Sequence, residues 1–474
     1  MASNSGEVVY KIYRALTYGL SPLIRLHLRW RKFRGREHPF RWRERLGRPS
    51  AHRPTGHLIW FHAVSLGEGL ATIPLIKCCL EKRPDVTVLM TTTTTSAFEV
   101  IKNKLPSNVI YQFAPLDIPA VVDAFLHYWR PNAVMLMESE LWPNLVMGAA
   151  RNGISLVLLN GRMSAKSFQS WSKPVFLPLV ALMLSKFSLI LPLSTVQGIH
   201  FQLLQAPPFF IRYPGDLKCA TEDFDISEGD KKSLEEFQAN LFHRKVWMAS
   251  SIHKGEEELF IRAHNMLKQK HPDIITIIVP RKPHLGQEIA LGKTICDSIT
   301  MLYGSSILWK LQDEGVSVAL RSHSHELTPG TNIYVVDTLG ELRNFYRLTP
   351  IAVIGGSFLL GSTGHNLSEA AAAGCAVLTG HHIGHFSHMM LEMQRVNPLS
   401  VLQISGEKLE EAVCELFDNV KILEARREAA RQAYHALSTG IVENFWVVLD
   451  FHIFKKLTRD GFCEAENPTI KLKL

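Results

Sequence analysis

From residue 57 onward the chain alternates short apolar runs with helix-patterned segments, and this alternation limits its possible folds more than any other feature. HLIWFHAV is followed by ATIPLIKCCLEKRP, VTVLMTTTT by a helical stretch from about 96 to 104, and VIYQFAP by AVVDAFLHYWRP. AVMLME, LWPNLVMGAARNG and ISLVLLN continue the pattern. VWMASSI, IITIIVP, GVSVALRS, IYVVDT, IAVIGG and CAVLTG resume it beyond residue 245. Apolar β-branched runs, each followed by a helix, are the sequence form of βαβ units and a parallel sheet. Around 207–235 the texture changes to an aperiodic stretch rich in Pro, Gly and Asp, which reads as a linker. At 474 residues the chain exceeds the roughly 250–300 that one core supports. The expectation is two doubly wound α/β domains facing a central cleft, over 51–222 and 223–440, with an N-terminal arm, 1–50, and a C-terminal helix and tail, 441–474. Ligands of such sheets bind beyond the carboxyl ends of the strands.

The net charge of +8 belongs to the arm. Residues 1–50 hold twelve Lys/Arg and three Asp/Glu, +9, and the remaining residues hold 40 and 41, −1. A nucleic-acid enzyme usually carries basic residues around its working cleft as well, so nucleic acid is not an expected partner. The arm's longest uncharged stretch, Ala15 to Ile24, has ten residues and contains Pro22, too short for the roughly 20 that a membrane span needs. Aromatic and aliphatic residues beside Lys11, Arg14, Arg25, Arg29 and Arg31 suit a helix lying on an anionic membrane surface. The same Arg-rich, acid-poor composition suits an organellar transit segment. Seven scattered cysteines without a Cys-x-x-Cys pair argue for a reducing compartment and against a zinc module. There is no Walker loop, and no Gly-x-Gly-x-x-Gly follows the first strand, which disfavours ATP hydrolysis and dinucleotide chemistry.

Chemistry-bearing residues cluster at predicted strand ends. In IWFHAVSLGEGLA, Glu68 stands between Gly67 and Gly69 at a helix start. The helix dipole favours an ionised carboxylate there, and bare flanking backbone would let a bulky ligand approach. A first-turn Glu serving only the dipole fits the pattern equally well. MLMESELWPN puts Glu138 and Glu140 after the next apolar run, and like charges held close are costly unless used or paired. Arg162, in LLNGRMS, is a partner for one of them or for a phosphate. GDLKCA offers Lys218, suited to a leaving phosphate. In the second half, VPRKPH places Arg281 after a strand, TLGELRNFY places Gly340 and Glu341 at a helix start, and GGSFLLGSTGHNLSEAAAAG leads glycines into Asn366, Leu367, Ser368 and Glu369. Free N–H groups there would make an anion site, and Glu369 could accept from ribose hydroxyls. HHIGHFSH raises a metal site through His381, His382, His385 and His388. Without a carboxylate or Cys among them, a substrate-facing loop fits better.

Eight motifs in order, HAVSLGEGLA, MESELWPN, NGRMS, GDLK, SSIHKGEEE, VPRKPH, LGEL and GGS…GHNLSEAA, resemble the 3-deoxy-D-manno-octulosonic acid (Kdo) transferases of lipopolysaccharide biosynthesis, over about residues 8 to 440. The resemblance implies a GT-B glycosyltransferase of two Rossmann-like domains, inverting, requiring neither cofactor nor metal, with a membrane-associated N-terminus. CMP-Kdo is the implied donor and a tetraacyl lipid A precursor the implied acceptor. By the same resemblance Glu68 matches the general base, and Glu138 and Lys218 match transition-state stabilisers. CMP contacts fall on Pro280 and Arg281, on Leu339, Gly340 and Glu341, and on Asn366 through Glu369; Gly67, Glu140 and Arg162 would line the cleft. The chain has Asn-Leu-Ser-Glu where the family more often has Asn-Pro-Leu-Glu. Its long basic arm resembles plant, organelle-directed members, so a mitochondrial location is expected, the cytoplasmic face of a bacterial inner membrane being the alternative. A GT-B enzyme using another nucleotide sugar, and a retired membrane-bound nucleotide-binding protein, stay open beside it.

Overall fold

The computed structural model describes residues 2–220, 235, 237–241, 243–282, 317–323 and 327–457, in two compact units, Met1–Glu222 with Gly440–Leu474 and Asp223–Thr439. Of the expected linker, 221–234 lie outside the described residues, as do the expected tail from 458 and Pro283-His284 of VPRKPH.

The first unit is built on a parallel sheet of β1 (His57–His62), β2 (Val86–Thr92), β3 (Ile110–Phe113), β4 (Ala133–Met137), β5 (Ser155–Gly161) and β6 (Leu189–Pro192), in the order β3-β2-β1-β4-β5-β6. The second is built on β7 (Val246–Ile252), β8 (Ile275–Pro280), β9 (Val318–Leu320), β10 (Ile333–Val335), β11 (Ile351–Ile354), β12 (Ala376–Thr379) and β13 (Val401–Gln403), in the order β13-β12-β11-β7-β8-β10-β9, again parallel among the described residues. Strands such as AVMLM and ITIIVP are buried at every position, because crossover helices cover both faces of a parallel sheet. Trp60, Phe125 and Trp129 pack in the first core and Trp247, Phe260 and Ile278 in the second.

Both sheets reverse their winding once, between β1 and β4 in the first and between β7 and β11 in the second. At such a reversal the loops leaving two neighbouring strands diverge, opening a crevice at their carboxyl ends. The loop after β1 leads into helix Leu66–Lys82, whose first turn carries Glu68, and the loop after β4 carries Glu138 and Glu140.

The N-terminal arm is part of the first unit rather than an appendage. Helix Ala2–Gly19 packs on helix Leu177–Leu184 so closely that a Cβ on Gly6 would lie 2.5 Å from the Pro178 carbonyl oxygen. Tyr10 is buried, the Tyr13 hydroxyl donates to Asp117 at 2.9 Å, and Asn144 donates its side-chain amide to Thr17 at 3.1 Å. Asp117 in turn accepts from the backbone N–H groups of Asn144 and Leu145, capping the helix Pro143–Arg151 that follows MESELW. Helix Ser21–Phe33 differs: Leu23, Leu26 and Phe33 are 62%, 61% and 88% exposed, and Leu28 is its buried residue. No helix among the described residues is long and apolar enough to cross a membrane. Removing residues 2–36 is expected to lower the melting temperature of the first unit, because Tyr10 leaves the core and Asp117 loses a partner. An unchanged melting curve for the shortened chain would contradict this.

The C-terminal helix Ile441–Leu449 also belongs to the first unit, packing on helix Leu66–Lys82 and on the Leu217–Cys219 turn. Asn444 donates to the Pro214 carbonyl at 3.5 Å, and Gly215, at φ +122°, leaves room for Ile441.

Candidate active site

Helix Leu66–Lys82 starts at an extended Ser65 whose hydroxyl oxygen accepts from the Glu68 N–H. The Glu68 carboxylate folds back, accepting the Val64 N–H at 2.9 Å and the Ser65 hydroxyl at 2.8 Å. This is a reciprocal Ser-x-x-Glu cap, whose signal stands in the sequence at 65–68. Burial pushes the Glu68 carboxyl above its ordinary range, the Glu138 charge adds to this, and the Val64 N–H, the Ser65 hydroxyl and Lys218 offset only part of it. A carboxylate of raised pKa is a better base. The two glycines divide the work differently from the expectation. Gly67 faces open space, but a Cβ on Gly69 would come 2.2 Å from Cδ1 of Ile101, so Gly69 serves helix packing and not ligand approach.

Glu138 directly follows β4 in a left-handed conformation, φ +56°, with its carboxylate buried. Arg162 Nε donates to one oxygen and Lys218 Nζ to the other. Burial alone would raise this carboxyl; Lys218 and Arg162 together outweigh it and hold it below the ordinary range. Asn160, at the end of neighbouring β5, also has positive φ, +52°. Its side chain donates to Asp216 at 2.9 Å and accepts the Leu217 N–H at 3.0 Å, and Asp216 accepts the Lys218 N–H at 2.8 Å. Asn160 and Asp216 therefore set the turn that aims Lys218, and sequence reasoning missed both. Such backbone conformations cost about 1–3 kcal/mol each in non-glycine residues and persist where surrounding contacts over-determine them.

Glu140 accepts from the Trp142 indole N–H. Burial first, then the charges of Glu68 and Glu138, push its carboxyl up to about 7. A folded value above the ordinary 4.5 means that the bound proton stabilises the fold below about pH 4.5, and that this contribution is lost as the pH rises through about 7. Glu140→Gln, which cannot ionise, is expected to melt like the parent at pH 4.5 and above it at pH 8. Melting curves that stay parallel across that range would contradict the assignment.

In the second unit the Arg281 N–H donates to the Ile252 carbonyl at 2.9 Å, which sets Pro280-Arg281 beside the end of β7. Gly340 takes φ +89°, Leu339 is exposed, and Glu341 is held by Arg321 at 2.8 Å and by the Thr338 hydroxyl. The Asn366–Glu369 segment departs from the expectation in three ways. The Ser368 N–H is taken by the Asn366 side-chain oxygen at 3.0 Å instead of standing free; the Leu367 side chain lies in the core; and Glu369 pairs with Arg343 at 3.1 Å. A short helix following a polar turn caps itself with the Asn already there.

The ligand-type atoms that group within 4.8 Å among the described residues belong to His271, Cys414 and Asp418, not to the His381–His388 stretch, where the His385 side chain lies outside the described residues. Lys245 Nζ lies 2.9 Å from His271 Nδ1 and 3.9 Å from Asp418, and sets a cation where a metal would compete with it.

Two Rossmann-like parallel-sheet units make this a GT-B glycosyltransferase fold. Staphylococcus aureus MnaA with UDP aligns at TM-score 0.56 over 85% of this chain and 97% of that one, at 13% identity. A glycosyltransferase of Rickettsia africae aligns at 0.53 over 84% and 99%, at 10% identity. The family model described as 3-deoxy-D-manno-octulosonic-acid transferase (kdotransferase) matches residues 40–221. The Arabidopsis thaliana protein "Probable 3-deoxy-D-manno-octulosonic acid transferase, mitochondrial" is 58% identical over 457 residues, 96% of this chain and 98% of that protein. The Haemophilus influenzae 3-deoxy-D-manno-octulosonic acid transferase is 27% identical over 84% and 88%. The chain belongs to the 3-deoxy-D-manno-octulosonic acid transferase family.

Proposed function

We propose that the chain moves Kdo from CMP-Kdo to a hydroxyl of a tetraacyl lipid A precursor, with inversion at the anomeric carbon and without a metal or other cofactor. The observation that carries this reading is the strand-end cluster of the first unit: the Glu68 carboxylate, held at its helix start by the Val64 N–H and the Ser65 hydroxyl, beside the Glu138–Lys218–Arg162 group. Glu68 takes the proton of the acceptor hydroxyl as its oxygen bonds to the anomeric carbon. The bond from that carbon to the phosphate oxygen breaks on the opposite side, and CMP leaves with the electron pair. Two cations around one anion give the Glu138 group a net positive charge, which suits the negative charge of the departing phosphate. Pro280-Arg281, Leu339-Gly340-Glu341 and Asn366–Glu369 would hold the CMP. Activity that persists in a chelator is the expected result for a metal-free mechanism.

The arm is proposed to lie on a membrane surface. Leu23, Leu26 and Phe33 would face the acyl boundary, with Arg25, Arg29 and Lys32 near the headgroups, where an anionic glycolipid acceptor resides. A mitochondrial location is supported by that of the Arabidopsis relative, named as a mitochondrial protein. Because a solved structure of this fold holds UDP, a UDP-sugar donor is the competing reading. Thermal protection of the full chain by CMP and not by UDP supports the CMP-sugar; the reverse overturns it.

A further inference from the structure

The second sheet has its own crevice, and its contents point to a phosphate-binding element. His253 follows β7 and His365 lies in the loop that leaves β11, the two strands between which the winding reverses. Their Nε2 atoms are 2.8 Å apart, with ring centroids 4.9 Å apart. At that distance one ring's Nε2–H donates to the other ring's Nε2, and an anion beside the pair can take the place of this bond. Imidazole N–H groups are donors suited to a phosphate oxygen, and a nearby anion favours the charged form of an imidazole.

The surrounding backbone is arranged to hold the rings there. Ser251, the residue before Ile252, has φ +56°, and the β7–β8 register shifts at this point. Glu256 is fully buried and accepts four backbone N–H groups, from His253 at 2.9 Å, Gly356 at 2.6 Å, and Ser357 and Phe358 at 3.0 Å each, tying the two histidine-bearing loops together. Gly356, at φ +63°, lies against both rings, where a Cβ would come within 2.8 Å of His365 and 3.2 Å of His253. Arg281 is hydrogen-bonded through its N–H to Ile252, the residue before His253, and Asn366 is the residue after His365.

We propose that His253 and His365 together bind the phosphate of the nucleotide donor, with Glu256 as the positioning residue that keeps their loops in register. This rests on the proposed CMP-sugar donor and adds to it the group that meets the phosphate. A charge-assisted contact of this kind corresponds to about a ten- to hundredfold change in affinity.

The test is calorimetric titration of the full chain with CMP, with cytidine and with inorganic phosphate. In His253→Gln/His365→Gln, CMP affinity is expected to fall about ten- to hundredfold, while cytidine affinity stays as in the parent. Equal losses for CMP and cytidine, or no loss for CMP, would overturn the proposal, since a pair that only staples the loops cannot tell the two apart. A parent chain that binds cytidine and CMP equally refutes the phosphate contact. One that binds neither refutes the CMP-sugar reading itself. Should the double variant misfold, imidazole NMR shifts of the parent decide: both rings should respond to inorganic phosphate, and silence at both overturns the proposal.

Discussion

Replacing Glu68 with Gln is expected to lower turnover by about 10²–10⁴-fold, the usual contribution of a positioned general base, while leaving the melting temperature close to that of the parent. The amide keeps an oxygen for the Val64 N–H, so the start of helix Leu66–Lys82 is preserved. What is lost is the ability to accept a proton. Glu68 also closes a reciprocal cap with Ser65, and this creates a clear contrast. If capping were its whole purpose, Glu68→Gln would retain most activity and Ser65→Ala would destabilise by about 1 kcal/mol. Turnover and melting temperature measured on both variants separate the roles.

The second large effect falls on stability. Glu138→Ala removes the one anion between Lys218 and Arg162 and leaves two cations facing each other with little water. Breaking a buried pair in this way costs about 3–5 kcal/mol, to be read by chemical denaturation. Its pH dependence has a defined sign. The Glu138 carboxyl is held below the ordinary range by Lys218 and Arg162 against the effect of burial, so its contribution is present above about pH 4.5 and is lost as the pH falls through the folded value. The gap between parent and variant should narrow on acidification. A gap that is constant with pH would mean that the carboxylate charge is not what stabilises the site.

Much of this was legible because strand-end chemistry leaves local marks. AVMLM reads as a strand without reference to anything distant, and the acidic residues that interrupt it stand out. The family motifs repeated the same positions. The residues that were not legible depend on partners far along the chain. Asn160 and Asp216 are 56 residues apart, and Glu256 reaches Gly356 across 100. Each is an ordinary loop polar residue until the sheet brings its partner alongside. The same holds for Gly69, whose need for glycine lies in Ile101, on a different helix. That the N-terminal arm packs into the first unit was not legible for a related reason: its contacts with Asp117 and Pro178 involve residues more than 100 positions away.

The central claim is that Glu68 activates an acceptor hydroxyl for Kdo transfer. The most direct measurement is incubation of the full chain, and of Glu68→Gln, with CMP-Kdo and a tetraacyl disaccharide acceptor, with product mass as the readout. The expected result is an acceptor heavier by a Kdo residue, with CMP released in equal amount, and little or no product from the variant. A folded, CMP-binding chain that leaves the acceptor mass unchanged, or a variant that makes product at the parent's rate, would contradict the claim.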